Sequence, residues 1–406
     1  MYSIKATVTT ISLGLLLTTA LFGQPSYTYS VIPPPKDFKI TATLYPTPQP
    51  AGDPAPVSGV QQILYGMSWI SEDGTHGVGT GVVAGDNGSQ LTVCFTYQNG
   101  TYTAIPTPGV NCGVNSGNSN GDFVGTLQVP GDLSSHAFLY HNGEFTLFDN
   151  LLPQVFPHPD PLVRSTAIAV NSKGQVLGST FTSQTSSNAF IGPNTGSFLS
   201  YSWLYSNGTV SRLADLGGAY NGATGLNENG DVAGFASTPD PRHYYNHATL
   251  SPSTGGIIDL GTAGGNYSMA SMINAKGQMV GTTSLPSDSP SHPLNHPFFY
   301  DNGAMTIMVP DAMGGAVSLN DSGEAVGSYT LESDPKTGHQ FYYKDGQVAE
   351  LSTLVQNLPG GVTIGGARQI TNRGVILTFA HSTDADNSEP ITVLLTPVPA
   401  QTGSGQ

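Results

Sequence analysis

Between residues 57 and 398 the chain is written in short apolar runs separated by Gly, Asn, Asp and Ser, and no stretch repeats its apolar positions every three to four residues. That is the signature of strands and turns, not of amphipathic helices. One polar-to-apolar unit recurs: "AVNSKGQVLG" at 169, "GLNENGDVAG" at 225, "MINAKGQMVG" at 272 and "SLNDSGEAVG" at 318. Asn favours the first position of a type I turn, where its side chain bonds the backbone ahead, and Gly favours the fourth. The pairs Asn171 and Gly174, Asn227 and Gly230, Asn274 and Gly277, and Asn320 and Gly323 fit that grammar, so each unit reads as a hairpin of strands a and b.

A second hairpin follows each first one. "CFTYQNG" at Cys94, "HAFLYHNG" at His136, "SWLYSNG" at Ser202, "HPFFYDNG" at His296 and "HQFYYKDG" at His339 run an aromatic strand c into Asn-Gly or Asp-Gly, the strongest short hairpin signal, before strand d. A copy at His247 has lost its aromatics. The a–b turns fall at Ser71, Asn115 or Asn118, Asn171, Asn227, Asn274, Asn320 and a degraded Thr371, about 44 to 56 residues apart. Four strands at that period predict an all-β propeller. Strand b carries two apolar residues in succession, as at Met279 and Val280, which suits a sheet covered on both faces. Seven blades are favoured, with six the alternative. The last blade lacks a strand d, which the N-terminal segment would supply, with "FKITATLYP" at Phe38 the candidate.

Composition places this array in a particular setting. The net charge is −15, yet only 10% of the 406 residues are charged, so the surface is uncharged and polar, with no basic stripe for nucleic acid or anionic lipid. Residues 1–23 carry Lys5, an apolar stretch too short to span a bilayer, and small residues that fit signal cleavage after Ala20 or Gly23. The expected organisation is therefore a signal peptide (1–23), a Pro/Gly-rich lead-in (24–56), the propeller (57–398) and a tail (399–406). A secreted or periplasmic monomer with no membrane span after cleavage follows. In that oxidising setting Cys94 and Cys112 are expected to pair, two buried thiols being the alternative.

The two hairpin motifs together resemble the bacterial extracellular repeat proteins of the HAF family, named for the tripeptide found here as His136-Ala137-Phe138. The resemblance covers most of residues 57–398, including "LGG" at Leu216 and "DLGTAGG" at Asp259. It implies secretion and a β-repeat fold and brings no catalytic set.

Alternating turns put both tight hairpins on one rim and the variable b–c and d–a connections on the other, where insertions usually mark a binding face. Those connections carry Asp240, Arg242, His243, Tyr244, Tyr245, Asp288, His292 and Asp334, the ligand-binding candidates. No metal or cofactor is expected. His136, His247, His296 and His339 stand at one equivalent position of different blades, too far apart to share an ion, and are expected to bond loop carbonyls. The turns at 118–122 and 227–231 resemble calcium loops only faintly. Serine-hydrolase, zinc-protease and nucleotide motifs are absent, and catalytic residues are not assigned. The function expected is a non-catalytic binding or scaffolding propeller engaging a glycan, peptide or envelope protein through its long-loop rim. The alternatives are a secreted polysaccharide hydrolase or lyase and a matrix or adhesion protein.

Overall fold

The computed structural model describes residues 7–10, 24–33, 64–84, 90–129, 131–155, 162–185, 198–218, 221–239, 245–288, 294–382 and 390–399. They form seven antiparallel sheets arranged as the blades of a propeller. Strands a to d are Leu64–Ile70, His76–Ala84, Gln90–Gln98 and Thr101–Ala104 in blade 1, and Val110–Gly117, Phe123–Val129, Asp132–His141 and Glu144–Leu147 in blade 2. Blade 3 comprises Leu162–Val170, Val176–Thr185, Phe198–Ser206 and Thr209–Arg212; blade 4 comprises Asn221–Leu226, Val232–Ser237, Asn246–Ser251 and Ile258–Asp259. Blade 5 comprises Ser268–Ile273, Met279–Thr283, His296–Asp301 and Ala304–Ile307; blade 6 comprises Ala312–Leu319, Ala325–Leu331, Asp334–Lys344 and Gln347–Glu350. Thr7–Thr10 pairs in parallel with strand d of blade 5.

Blade 7 closes the ring. Its strand a is split into Val362–Ile364 and Gln369–Ile370, followed by Ile376–Ser382 and Ile391–Pro397. Its outer strand comes from the N-terminal segment, antiparallel to Ile391–Pro397. That strand is Tyr27–Val31, however; the stretch proposed at Phe38 lies outside the described residues. Tyr27 wins the position because its ring is fully buried, edge-on to Tyr342 at 6.2 Å. Asn357 then locks the strand, its Oδ1 accepting from Tyr29 N–H at 2.6 Å and its Nδ2 donating to Tyr29 O at 3.1 Å.

The repeated Asn does more than cap its own turn. In blade 5 Asn274 Oδ1 accepts from the N–H groups of Lys276 and Gln278, each at 3.0 Å, while its Nδ2 donates to Gln278 Oε1 at 2.7 Å. The same Nδ2 crosses to the next blade and donates to Asn320 O at 2.9 Å. Asn118, Asn171, Asn227 and Asn320 repeat this pattern, donating to the carbonyls of Asn171, Asn227, Asn274 and Thr371 at 2.8 to 3.0 Å. The long turn of blade 2 is thus built on Asn118 and not on Asn115. Thr371 of the degraded turn makes the step to blade 1 with its hydroxyl, bonding Glu72 O at 3.2 Å. Only Ser71 turns inward, to Asp73 Oδ1 at 2.7 Å. The fourth residue is Gly because it sits at positive φ, as at Gly174 (72°) and Gly230 (91°). The Asn-Gly and Asp-Gly c–d turns have positive φ at both central residues, Asn142 (50°) and Gly143 (88°) among them, the type I′ geometry.

The final Gly of the decamer has a different cause. Strand a carries a one-residue bulge in blades 1 to 6, at Ser68, Asn115, Ile168, Thr224, Ser271 and Val317, immediately beyond the residue that pairs with this Gly. On the other side Gly178 faces Trp203 of strand c, whose indole lies across it. A Cβ on Gly178 would stand 2.1 Å from that ring, and one on Gly125 1.8 Å from Gly113 O. The aromatic residue is then free to fill the space between blades: Phe95, Phe138, Trp203, Phe298 and Phe341 are all essentially inaccessible. Apolar clusters occupy every blade interface, so the core is distributed around the ring.

Cys94 of strand c in blade 1 and Cys112 of strand a in blade 2 form a disulfide across an interface, with Cα atoms 5.4 Å apart. At the corresponding places Ala137 N–H donates to Ser165 Oγ at 2.8 Å and Ala248 N–H to Ser268 Oγ at 2.7 Å. The covalent bond stands at the interface where Ser71 makes no crossing.

Asn274→Ala is expected to lower stability by about 1–3 kcal/mol, because it leaves buried backbone groups unpaired, whereas Asn120→Ala on the exposed side should cost under ~0.5 kcal/mol. Urea midpoints check both. Gly178→Ala should cost about 1–3 kcal/mol or prevent folding, since the buried indole cannot retreat; loss of the near-ultraviolet tryptophan signal reports it. Glu324 receives Nδ2–H of Asn320 (2.7 Å), Tyr342 O–H (2.9 Å) and Lys344 Nζ–H (2.9 Å). Burial alone would raise its carboxyl, but these bonds outweigh it and hold the pKa below the ordinary 4.5. Its contribution is therefore present above that value and fades as pH falls through the lowered one. Glu324→Gln should be less stable than the parent at pH 7, with the gap closing below about pH 4.5 in thermal melts.

Candidate functional site

The innermost strands of all seven blades surround an axial cavity of about 590 Å³. It is lined by bulge residues, Ser68, Asn115, Ile168 and Thr224, and towards the tight-turn rim by Glu72, Glu228, Asp321 and Asn372. The bulges matter because they turn side chains into the axis at mid-strand. Several then span to the neighbouring blade: Ser68 Oγ donates to Val114 O (2.6 Å), Asn115 Nδ2 to Ala167 O (2.7 Å) and Thr224 Oγ1 to Ala270 O (2.8 Å).

The acids at this mouth are committed to backbone. Glu72 Oε2 accepts from Arg373 N–H at 3.0 Å, and Asp321 Oδ1 from Ala275 N–H at 2.8 Å. Glu228 accepts from both the N–H and the hydroxyl of Ser172. Arg368, the lining cation, lies over the Phe379 ring at 4.7 Å. The mouth thus carries charge that is already hydrogen-bonded, and the mid-section offers hydroxyl, amide and aliphatic surface. These acids were missed in the sequence because their partners lie in other blades, although an acid or amide directly after the turn's first residue was a visible regularity.

On the opposite rim the ligand-binding candidates disperse. Asp240, Arg242, His243, Tyr244 and His292 lie outside the described residues. Tyr245 is half-buried and its carbonyl accepts from Thr238 N–H at 2.9 Å. The Asp288 side chain is buried and serves its own loop, accepting from Leu285 N–H at 2.7 Å and from His296 Nε2 at 3.3 Å. Asp334 is exposed and accepts from the Thr337 hydroxyl at 2.6 Å. A groove of about 630 Å³ between blades 5 and 6 opens on this side, with Asn295, Gly314, Tyr329 and Gln340 among its walls.

The histidines need correction: they pair with carboxylates, not with loop carbonyls. His247 Nδ1 donates to Asp259 at 3.0 Å and His339 Nδ1 to Glu350 at 3.2 Å. His136 Nδ1 donates to Asp149 at 2.9 Å, while its Nε2 lies 3.2 Å from Ser134 Oγ and 3.3 Å from Asp132 Oδ2. For His136, His247 and His339 the reason is register: an acid ending strand d, or just past it, arrives beside the His of strand c and supplies a stronger acceptor than a carbonyl, whereas the acid at His296 comes from the b–c connection. Burial works against ionisation of Asp259, yet bonds from His247 and Gly261 N–H hold its carboxyl below the usual range. Asp132 is likewise lowered, chiefly by the Ser134 hydroxyl and N–H. Among the described residues no group of three His, Cys, Asp or Glu is placed to hold a metal ion, and no helix is long and apolar enough to cross a membrane.

No family model matches the chain, and no curated protein matches it significantly. Solved structures do. The β-propeller domain of the Trilobed protease from Pyrococcus furiosus, described as having an open velcro topology, superposes with a TM-score of 0.52 at 10% identity, covering 81% of this chain and 95% of that one. Acylaminoacyl peptidase from Pyrococcus horikoshii gives 0.51 at 10% identity, over 82% of this chain and 52% of that one, so this chain spans about half the peptidase's length. Likeness at this identity establishes the fold: a seven-bladed, all-β propeller. The expected non-catalytic binding or scaffolding role finds no counterpart in these two matches, which are the propeller domain of a protease and a peptidase.

Proposed function

We propose that this chain is the propeller of an exported peptide-hydrolysing system and that an extended peptide enters it along the axis from the tight-turn side. The observation that carries this reading is the axial cavity. Its volume of about 590 Å³ falls within the range of ligand sites, and its lining joins aliphatic surface to hydroxyl and amide groups. Such a lining suits a polymer whose backbone is neutral and rich in hydrogen-bonding groups. A phosphate polymer does not fit, since Glu72, Glu228 and Asp321 ring the mouth. The peptidase propellers of matching shape support a peptide, in place of a polysaccharide, as that polymer.

Export is supported by the apolar stretch within residues 1–23 and by the Cys94–Cys112 bridge, which is stable in an oxidising compartment. The HAF-like repeat grammar agrees with that location.

A ten-residue unstructured peptide bearing a photoreactive phenylalanine analogue provides the test. Crosslinks mapped by mass spectrometry should fall on axial residues such as Ile168, Thr224 and Met272, and Ile168→Trp, which narrows the opening, should lower their yield about tenfold or more. Cleavage of the same peptide by the assembly recovered with the tagged chain should fall in parallel. Crosslinks spread over the outer strands, or a yield indifferent to Ile168→Trp, would sink the reading.

A further inference from the structure

Strand c of blade 2 brings Asp132, Ser134 and His136 together where its register against strand b slips, between Asp132 and His136, and Ser134 N–H bonds Asp132 Oδ1. Strand d pairs Leu147 with Phe138, so the short helical turn Phe148–Asn150 that follows brings Asp149 to the His136 end of strand c. The result is a hydroxyl, an imidazole and a carboxylate in series: Ser134 Oγ to His136 Nε2, 3.2 Å, and His136 Nδ1 to Asp149 Oδ1, 2.9 Å.

Blades 4 and 6 separate the structural part of this arrangement from the rest. His247 and His339 also give Nδ1 to a carboxylate, so an imidazole oriented in this way is a feature of the fold. Two residues before them stand Tyr245 and Thr337, and the Thr337 hydroxyl is directed to Asp334. Blade 2 adds a serine hydroxyl at Nε2. The His136 side chain is 12% exposed, held but reachable, and Asp149 is 39% exposed.

The geometry points to a nucleophilic acyl-transfer site in this chain, with Ser134 as nucleophile, His136 as general base and Asp149 as the group that fixes the imidazole tautomer. Its substrate class is a small carboxylic ester. An ester suits this open rim better than an amide, because its alkoxide departs more readily than an amine. Ser134 Oγ adds to the carbonyl carbon while its proton passes to His136 Nε2. The tetrahedral centre then collapses, breaking the bond to the leaving oxygen, which takes that proton from Nε2. Water repeats the sequence on the acyl-serine: its proton goes to Nε2 and on to Ser134 Oγ, and the carboxylic acid departs. No electron is gained or lost.

Asp132 sets the resting state. Its Oδ1 accepts the Ser134 hydroxyl at 2.7 Å and the Ser134 N–H at 2.8 Å, and its Oδ2 lies 3.3 Å from Nε2. It therefore competes with His136 for the hydroxyl proton, and weakening it should release the serine. This inference does not rest on peptide entry along the axis; either can fail while the other stands.

The test is labelling of the purified full chain with a fluorophosphonate probe, together with p-nitrophenyl acetate hydrolysis. One adduct on Ser134 is expected, absent in Ser134→Ala. His136→Gln should slow labelling by on the order of 10²–10⁴-fold, and Asp132→Asn, whose side chain still accepts the turn's N–H, should speed it several-fold. Should His136→Gln fail to fold, Ser134→Cys gives the same answer: its thiol should react with iodoacetamide faster than a free cysteine near neutral pH. A folded parent protein with no adduct on Ser134, or ester hydrolysis unchanged in Ser134→Ala, overturns the assignment.

Discussion

The ring depends on what one carboxamide can do at a place where a backbone turn and a blade boundary coincide. Asn has one acceptor and a two-proton donor on a short stem. In this fold the acceptor closes the turn and the donor reaches both the residue after the turn and the carbonyl of the next blade, as Asn274 does towards Gln278 and Asn320. Asp would lack the donor, Ser would lack the second direction, and Gln would lose the short reach that makes the turn. The five such Asn residues are between 2% and 5% exposed, so these bonds form away from competing water, where an unpaired group is costly. Local turn geometry and long-range closure are thereby one constraint, which explains a motif kept through divergent surroundings.

Where that constraint lapses, something else takes its place. Thr371 retains a hydroxyl donor and completes the step from blade 7 to blade 1. Ser71 is spent within its own turn, and the interface it leaves uncrossed is the one bridged by Cys94 and Cys112. The disulfide thus substitutes for part of a hydrogen-bond ring, at positions where other blades use a serine and a backbone N–H. The acids at the axial mouth belong to the same economy of contacts: Glu72, Glu228 and Asp321 reach back to the preceding turn's N–H. A sequence with 27 acids can therefore present an axial mouth whose carboxylates are occupied.

Much of the fold was legible because its determinants are local. Asn-x-x-Gly gives a turn, Asn-Gly a type I′ hairpin, and Gly178 opposite Trp203 can be read from register alone. The closing strand was misplaced because "YTYSV" and "FKITATLY" both alternate, and what selects the former is burial of Tyr27 against Tyr342, more than 300 residues away. The site was less legible for the same reason. Histidines at a repeated position were visible, but their carboxylate partners enter through strand pairing. The axial acids have partners some 46 to 56 residues upstream or across the ring. A reading that looked for function in the longest loops passed over residues made significant by closure.

The two rims divide the labour of this molecule unequally, and that asymmetry bears on where chemistry can arise. On the tight-turn rim the repeated Asn side chains answer to two blades at once, so a substitution of one disturbs the ring as well as its own turn. On the other rim a pair such as His247 and Asp259 is held within one blade, by its own c–d register, and its neighbours are indifferent to it. A residue added beside such a pair alters one blade only. Ser134, placed next to His136 in blade 2 and held there by Asp132 while Asp149 holds the imidazole, is the kind of departure that a locally fixed imidazole permits. Repetition supplies the oriented base, and the freedom of a single blade supplies what that base acts upon.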